Sequence, residues 1–79
     1  MEVATVQRYA NLSGNSGVVA YRIGTQSIAV KFKDGNEYLY TYGSAGPTNI
    51  ETMKKLAAQG KGLSAFISTS VRNLFEKKI

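Results

Sequence analysis

Two of the side chains that carry much enzyme chemistry are missing from this sequence, which holds no cysteine and no histidine in 79 residues. Zinc has neither of its preferred ligands, an iron–sulfur cluster has none, and thiol nucleophiles, imidazole acid–base catalysis and every triad built on His fall away. The carboxylates are Glu2, Asp34, Glu37, Glu51 and Glu76, and each fits a simpler local role. Asp34 belongs to a turn, Glu37 to a cross-strand pair and Glu51 to a helix cap, while Glu2 and Glu76 stand near the ends. No two are spaced as an acid–base pair. The sequence therefore predicts a protein that is not an enzyme and needs no cofactor and no metal.

What remains is positive charge. Ten Lys and Arg against five Asp and Glu give a net +5, a bias towards anionic partners. Gly60-Lys61-Gly62 could hold a phosphate through backbone N–H groups and a lysine, but the same glycines also serve to cap one helix and turn the chain. The Gly-x-x-x-x-Gly-Lys-Ser/Thr spacing of a nucleotide loop is not present. Tyr38, Tyr40 and Tyr42, with lysines nearby, invite comparison with base-stacking platforms. Which of these groups can act together depends on the elements that carry them.

Alternation predicts strands at 18–23 and 27–33, the second with Ile28, Val30 and Phe32 facing one way and Ala29, Lys31 and Lys33 the other. A return strand follows at 37–42, and 3–9, with Val3, Thr5, Val6 and Tyr9, offers a further one. Val19, Tyr21 and Ile23 are expected on one face of the 18–23 strand, with Ala20 and Arg22 on the other. The Asp34-Gly35 turn fixes the register. A two-residue turn would put the tyrosines on the lysine face. A three-residue loop, Lys33-Asp34-Gly35 with Gly35 left-handed, pairs Val30 with Tyr38, Ile28 with Tyr40 and Lys31 with Glu37. The second choice gathers the large apolar side chains on one face and is preferred on burial. Tyr38 and Tyr40 then point inward, and Tyr42 is the tyrosine expected to be exposed.

In the second half, Thr48-x-x-Glu51 reads as a capping box for a helix burying Ile50, Met53, Leu56 and Ala57 and ending at Gly60. A second helix is expected over 63–77, with Lys77 and Lys78 complementing its dipole. The predicted fold class is α+β: an antiparallel sheet of three to four strands followed by two C-terminal helices packed on one face. The chain reads as a single domain, 1–79. If the helices cover the tyrosine face, the opposite face is open and bears Ala20, Arg22, Ala29, Lys31, Lys33, Leu39 and Thr41. No segment reads as a signal peptide or a membrane span, so the expected location is cytoplasmic.

The run 16–75 resembles the KTSC domain, found at the C-terminus of some lysyl-tRNA synthetases and alone in small bacterial proteins. The pattern is Tyr21, then Ile28-x-Val30-x-Phe32-x-x-Gly35-x-x-Tyr38-x-Tyr40, the stretch Ala58-Gln59-Gly60-Lys61-Gly62 and the ending Val71-Arg72-x-x-Phe75. Residues 1–15 form an N-terminal extension to it. The resemblance implies no activity and, through the synthetase context, RNA binding; it also marks Lys61, whose turn matches a family feature. The leading expectation is a small non-catalytic module for RNA or other nucleic acid, with Arg22, Lys31, Lys33, Lys61 and Tyr42 as the contact candidates and no membrane partner. The rival is a protein-interaction or self-association module using the open sheet face around Leu39.

Overall fold

In the computed structural model, residues 6–12, 14 and 16–79 are described. The class is α+β, but the expected counts of strands and helices are both corrected. Five strands, β1 Val6–Arg8, β2 Val18–Ile23, β3 Ser27–Phe32, β4 Glu37–Thr41 and β5 Lys77–Lys78, form one sheet in sequence order. All neighbours are antiparallel. Val3 and Thr5, expected in the first strand, lie outside the described residues.

The β3–β4 hairpin has the register the sequence predicts: Ile28 opposite Tyr40, Val30 opposite Tyr38, Lys31 opposite Glu37. Gly35 closes it with φ +94° while its N–H donates to Phe32 O and Phe32 N–H donates to Asn36 O. Only a residue without Cβ takes that φ at little cost. In β2 the expectation fails by one residue. The β2–β3 register slips between Val18 and Ala20, so Val18 is buried and Val19 is turned out and 38% exposed. A bulge inserts one residue into the alternation and exchanges the faces of what precedes it.

Past β4, the four-residue helix α1 Tyr42–Ala45 is capped by Thr41. Its hydroxyl accepts from Ser44 N–H, and the Ser44 hydroxyl accepts from Thr41 N–H. The capping box thus stands at Thr41–Ser44 and not at Thr48–Glu51. Pro47 takes the first position of α2 Pro47–Gln59, which makes Gly46 the cap and leaves Thr48 already inside the helix. Gly60 ends α2 with φ +80°, and a Cβ built there would stand 2.6 Å from the Ala10 Cβ. Left-handed backbone and close approach both demand glycine at this position.

The predicted helix over 63–77 is the largest correction. It forms as α3 Leu63–Phe66, widens into a π-helical turn at Ile67–Val71 and stops. The chain then extends into β5, where Glu76 N–H donates to Leu39 O and Ile79 N–H to Glu37 O. The open edge of β4 would otherwise be left with unpaired backbone groups, and the extended chain satisfies them together with its own. Phe75 seals the switch by packing on Tyr38 and Tyr40, with ring centroids 4.8 and 6.3 Å away. Lys77 and Lys78 are accordingly strand residues, not a complement to a helix dipole.

Helices α2 and α3 and the π-helical turn lie on the sheet face that carries Ile28, Val30 and Tyr40. These three join Tyr9, Val18, Ile50, Met53, Leu63 and Val71 in a single buried cluster. Burying each large side chain there contributes roughly 1.5–3 kcal/mol.

Candidate nucleic-acid interface on the uncovered sheet face

Among the described residues, no helix lies on the other face of the sheet. Strand alternation and the observed register lay out two rows of side chains across it. One row runs Val6, Arg22, Ala29, Leu39, Lys77 from β1 to β5, and the next runs Arg8, Ala20, Lys31, Glu37. At a strand spacing of about 4.8 Å, Arg8 and Lys31 stand roughly 10 Å apart and Arg22 and Lys77 roughly 14 Å. Cations from four strands therefore share one surface.

Arg22 is not a free cation on this surface. Its Nη2 and Nε both donate to Glu37 Oε2, at 2.6 and 3.0 Å. The two side chains reach over β3 from opposite sides, which explains why Ala29, expected to be open, is only 4% exposed. It also corrects the expected charge pair. Glu37 lies opposite Lys31 in the ladder, but its carboxylate is taken by Arg22, whose fork matches a carboxylate better than an ammonium does. Lys31 and Lys33 are exposed, and among the described residues no ion pair holds either one.

The remaining candidates stand elsewhere. Lys61 is exposed in the turn between α2 and α3, on the helical layer, where Gly60 O accepts from Leu12 N–H. It is not brought together with Lys31 or Lys33. Tyr42 is only half-buried, but it is not free to stack as the sequence suggested. Its ring packs against the core, its hydroxyl donates to Glu51 Oε2 at 2.6 Å and Lys54 Nζ lies 5.9 Å from the ring centre. That hydrogen bond holds the Tyr42 hydroxyl above its ordinary pKa and the Glu51 carboxyl below its own.

Every described carboxylate is likewise occupied. Asp34 accepts from Asn36 in the hairpin loop, Glu37 from Arg22, Glu51 from Tyr42 and Lys54, and Glu76 from the Thr41 hydroxyl. Among the described residues no group of three or more acidic residues converges as a metal site, and no helix is long and apolar enough to cross a membrane. A shallow groove at the far end of the uncovered face is lined by Thr25, Ser27, Leu39, Thr41 and Glu76. Hydroxyls and a committed carboxylate supply it with no nucleophile–base pair.

Two cations of the face, Arg8 and Lys77, are not among the sequence candidates. Arg8 lies in a strand whose apolar pattern is weak, and Lys77 lies in a segment whose pattern is helical. Alternation within β1, counted back from Tyr9, would have found the first; nothing local announces the second. Searches against protein-family models, curated proteins and solved structures return no match.

Proposed function

We propose that this chain is a small, non-catalytic, cytoplasmic binding module of KTSC type that receives the backbone of a nucleic acid on its uncovered sheet face. The observation that carries the reading is the convergence of Arg8, Lys31 and Lys77 on that face around the Glu37-paired Arg22, with Lys33 exposed one residue beyond β3. Phosphates neutralised by such a set release counterions, which supplies affinity without any need for base contacts. The net charge of +5 adds long-range steering. The KTSC resemblance, carried by Ile28-x-Val30-x-Phe32 and Tyr38-x-Tyr40, supports the same direction through its synthetase context. Lys61 stands as a separate phosphate contact on the helical layer.

The test is charge reversal. Lys31→Glu with Lys33→Glu should weaken binding of a labelled RNA hairpin by about tenfold or more at moderate salt, and flatten the dependence of affinity on salt. Far-ultraviolet circular dichroism should be unchanged, because both side chains are exposed. Affinity equal to wild type would remove the face from the interface. Amide NMR shifts in a titration with the same hairpin should cluster on β1, β3 and β5.

One observation favours the rival reading of self-association. Val6 on β1 and Ile79 beyond β5 are 62% and 55% exposed, at the two edges of the face that carries Leu39 on β4. Light scattering that reports a monomer at high protein concentration, for wild type and Leu39→Asp alike, would dispose of it.

A further inference from the structure

The uncovered face is rich in cations and poor in aromatic rings: Tyr42 borders the groove at its far end and Tyr21 the hollow beside Arg22. The sequence holds five tyrosines and three phenylalanines. Tyr9 and Tyr40 belong to the buried cluster between sheet and helices, and Tyr21, Phe32, Tyr38, Tyr42, Phe66 and Phe75 pack against it. The rings are thus held towards the covered side, and none stands free in the middle of the cationic rows. Modules that hold single strands need exposed rings, because unpaired bases bind by stacking and a groove of charge tracks one backbone. Here the rings pack towards the core, and the hollows on the face are short and separate. The cations are spread in two rows over four strands, and the hollow of about 180 Å³ among Val6, Ala20, Arg22, Lys31 and Glu37 is short and bridged by the Arg22–Glu37 pair instead of running on as a track for a backbone.

We infer that the nucleic acid this face accepts is a double helix, held by the phosphates of both strands and not by its bases. The inference rests on the nucleic-acid reading above and narrows it. A duplex offers two lines of phosphate separated by a groove, and cations two strands apart, such as Arg8 and Lys31 roughly 10 Å from one another, can meet both lines at once. A-form RNA suits the face well, because its minor groove is wide and shallow and is recognised by shape and backbone. The chemistry is shared by RNA and DNA duplexes. The Arg22–Glu37 pair keeps the middle of the face from becoming a deep positive slot, which also disfavours a threaded single strand.

The experiment uses the whole chain and four fluorescein-labelled probes: a 16-base-pair RNA duplex, a DNA duplex of the same sequence, and one single strand of each. Fluorescence anisotropy at matched salt should show the better duplex bound about tenfold or more tighter than its own single strand. The comparison of RNA with DNA duplex assigns the source. Leu39→Trp, which plants a ring on the face beside Lys77, should raise single-strand affinity several-fold and narrow the gap between duplex and single strand. Single strands bound as tightly as duplexes by the wild type would overturn the inference while leaving the basic face in place. A Leu39→Trp variant with no gain on single strands would overturn it too, since missing rings would not then be what limits stacking. No binding of any probe would bring down the nucleic-acid reading itself.

Discussion

On one side of β3, Ile28 and Val30 are fully buried beneath the helices, whereas on the other side of the same strand Lys31 is exposed and Ala29 is screened by an ion pair that crosses over it. The same holds in β4, where Tyr40 is buried and Leu39 and Glu37 look outward. Residues adjacent in the chain thus answer to different physics. The covered face concentrates apolar burial and the buried aromatic rings, and the uncovered face concentrates charge that water and salt can reach. The difference teaches that stability and the charge of the open face can be altered separately here, one residue apart.

The largest expected effect tests that separation directly. Tyr40→Ala removes a ring that is 1% exposed and should cost about 3–5 kcal/mol. For a domain of this size that is most of the available stability. Leu39→Ala, its neighbour on the other face, should cost about 1 kcal/mol or less. Urea unfolding of the two variants with unchanged m-values measures both. Equal losses would mean that the uncovered face is also part of the core, and the comparison would collapse.

A second expectation concerns alkaline pH. Burial, reinforced by neighbouring Tyr38, pushes the Tyr40 hydroxyl up from its ordinary 10 to about 12. The folded state therefore favours the neutral phenol more than the unfolded chain does. Its contribution is complete below pH 10, where both states are protonated, and is lost between about pH 10 and 12, where the unfolded chain ionises first. Near 1.4 kcal/mol per pH unit, the loss is on the order of 2–3 kcal/mol. Tyr40→Phe should remove most of that alkaline slope, as followed by thermal melts from pH 8 to 11.5. A slope kept by the variant would assign it to another group.

How much of this was legible in the sequence differs between the same two regions. The β3–β4 pairing was readable because Ile28, Val30, Phe32, Tyr38 and Tyr40 alternate strictly and Gly35 fits the loop that brings them to one face. The α2 core positions were readable for the equivalent reason at helical spacing. The bulge at Val18–Ala20 was not, since Val18 and Val19 are identical residues and only the pairing with β3 chooses between them. Thr48-x-x-Glu51 misled because a proline one residue earlier claimed the first helical position. The 63–77 segment misled most. Leu63, Phe66, Ile67, Val71 and Phe75 keep a helical rhythm, but Ser68, Thr69 and Ser70 in its middle weaken the helix, and the pull on Phe75 and the backbone beyond it comes from the distant β4 edge. On the candidate site, Lys31 and Lys33 were found from their own strand, while Lys77 needed the tertiary fold to reach the face. The Arg22–Glu37 contact, diagonal across β3, is invisible to any rule about directly opposite pairs.

The third test sharpens the uncovered side. Both partners of the Arg22–Glu37 pair keep contact with water, with side chains 33% and 22% exposed, so Glu37→Gln should cost about 1 kcal/mol or less in stability. It also frees the guanidinium and removes a negative charge from among the cations. Affinity for a duplex should rise several-fold, and the slope of log affinity against log salt should steepen by about one. Weaker binding would show instead that Glu37 serves the interface by aiming Arg22, and would recast the pair as a positioning device.

The smallest effect decides to which face Tyr42 belongs. Its hydroxyl hydrogen bond is the main cause holding the Glu51 carboxyl below the usual carboxylate range, ahead of Lys54. A carboxyl lowered in the folded state contributes stability above its unfolded pKa and loses it as pH falls through the folded one. Tyr42→Phe removes the hydrogen bond and keeps the ring, so Glu51 should titrate at higher pH, read from its side-chain carboxyl carbon by NMR. Tyr42→Leu removes the ring as well. If the ring is held by α2 and the core, neither variant should change nucleic-acid affinity by more than about twofold, far below the loss of ~1–3 kcal/mol that deleting a stacked aromatic brings. A loss of that larger size in Tyr42→Leu, with Tyr42→Phe unaffected, would place the ring in the interface. The division of aromatic and cationic side chains between the two faces would then have an exception at the end of β4.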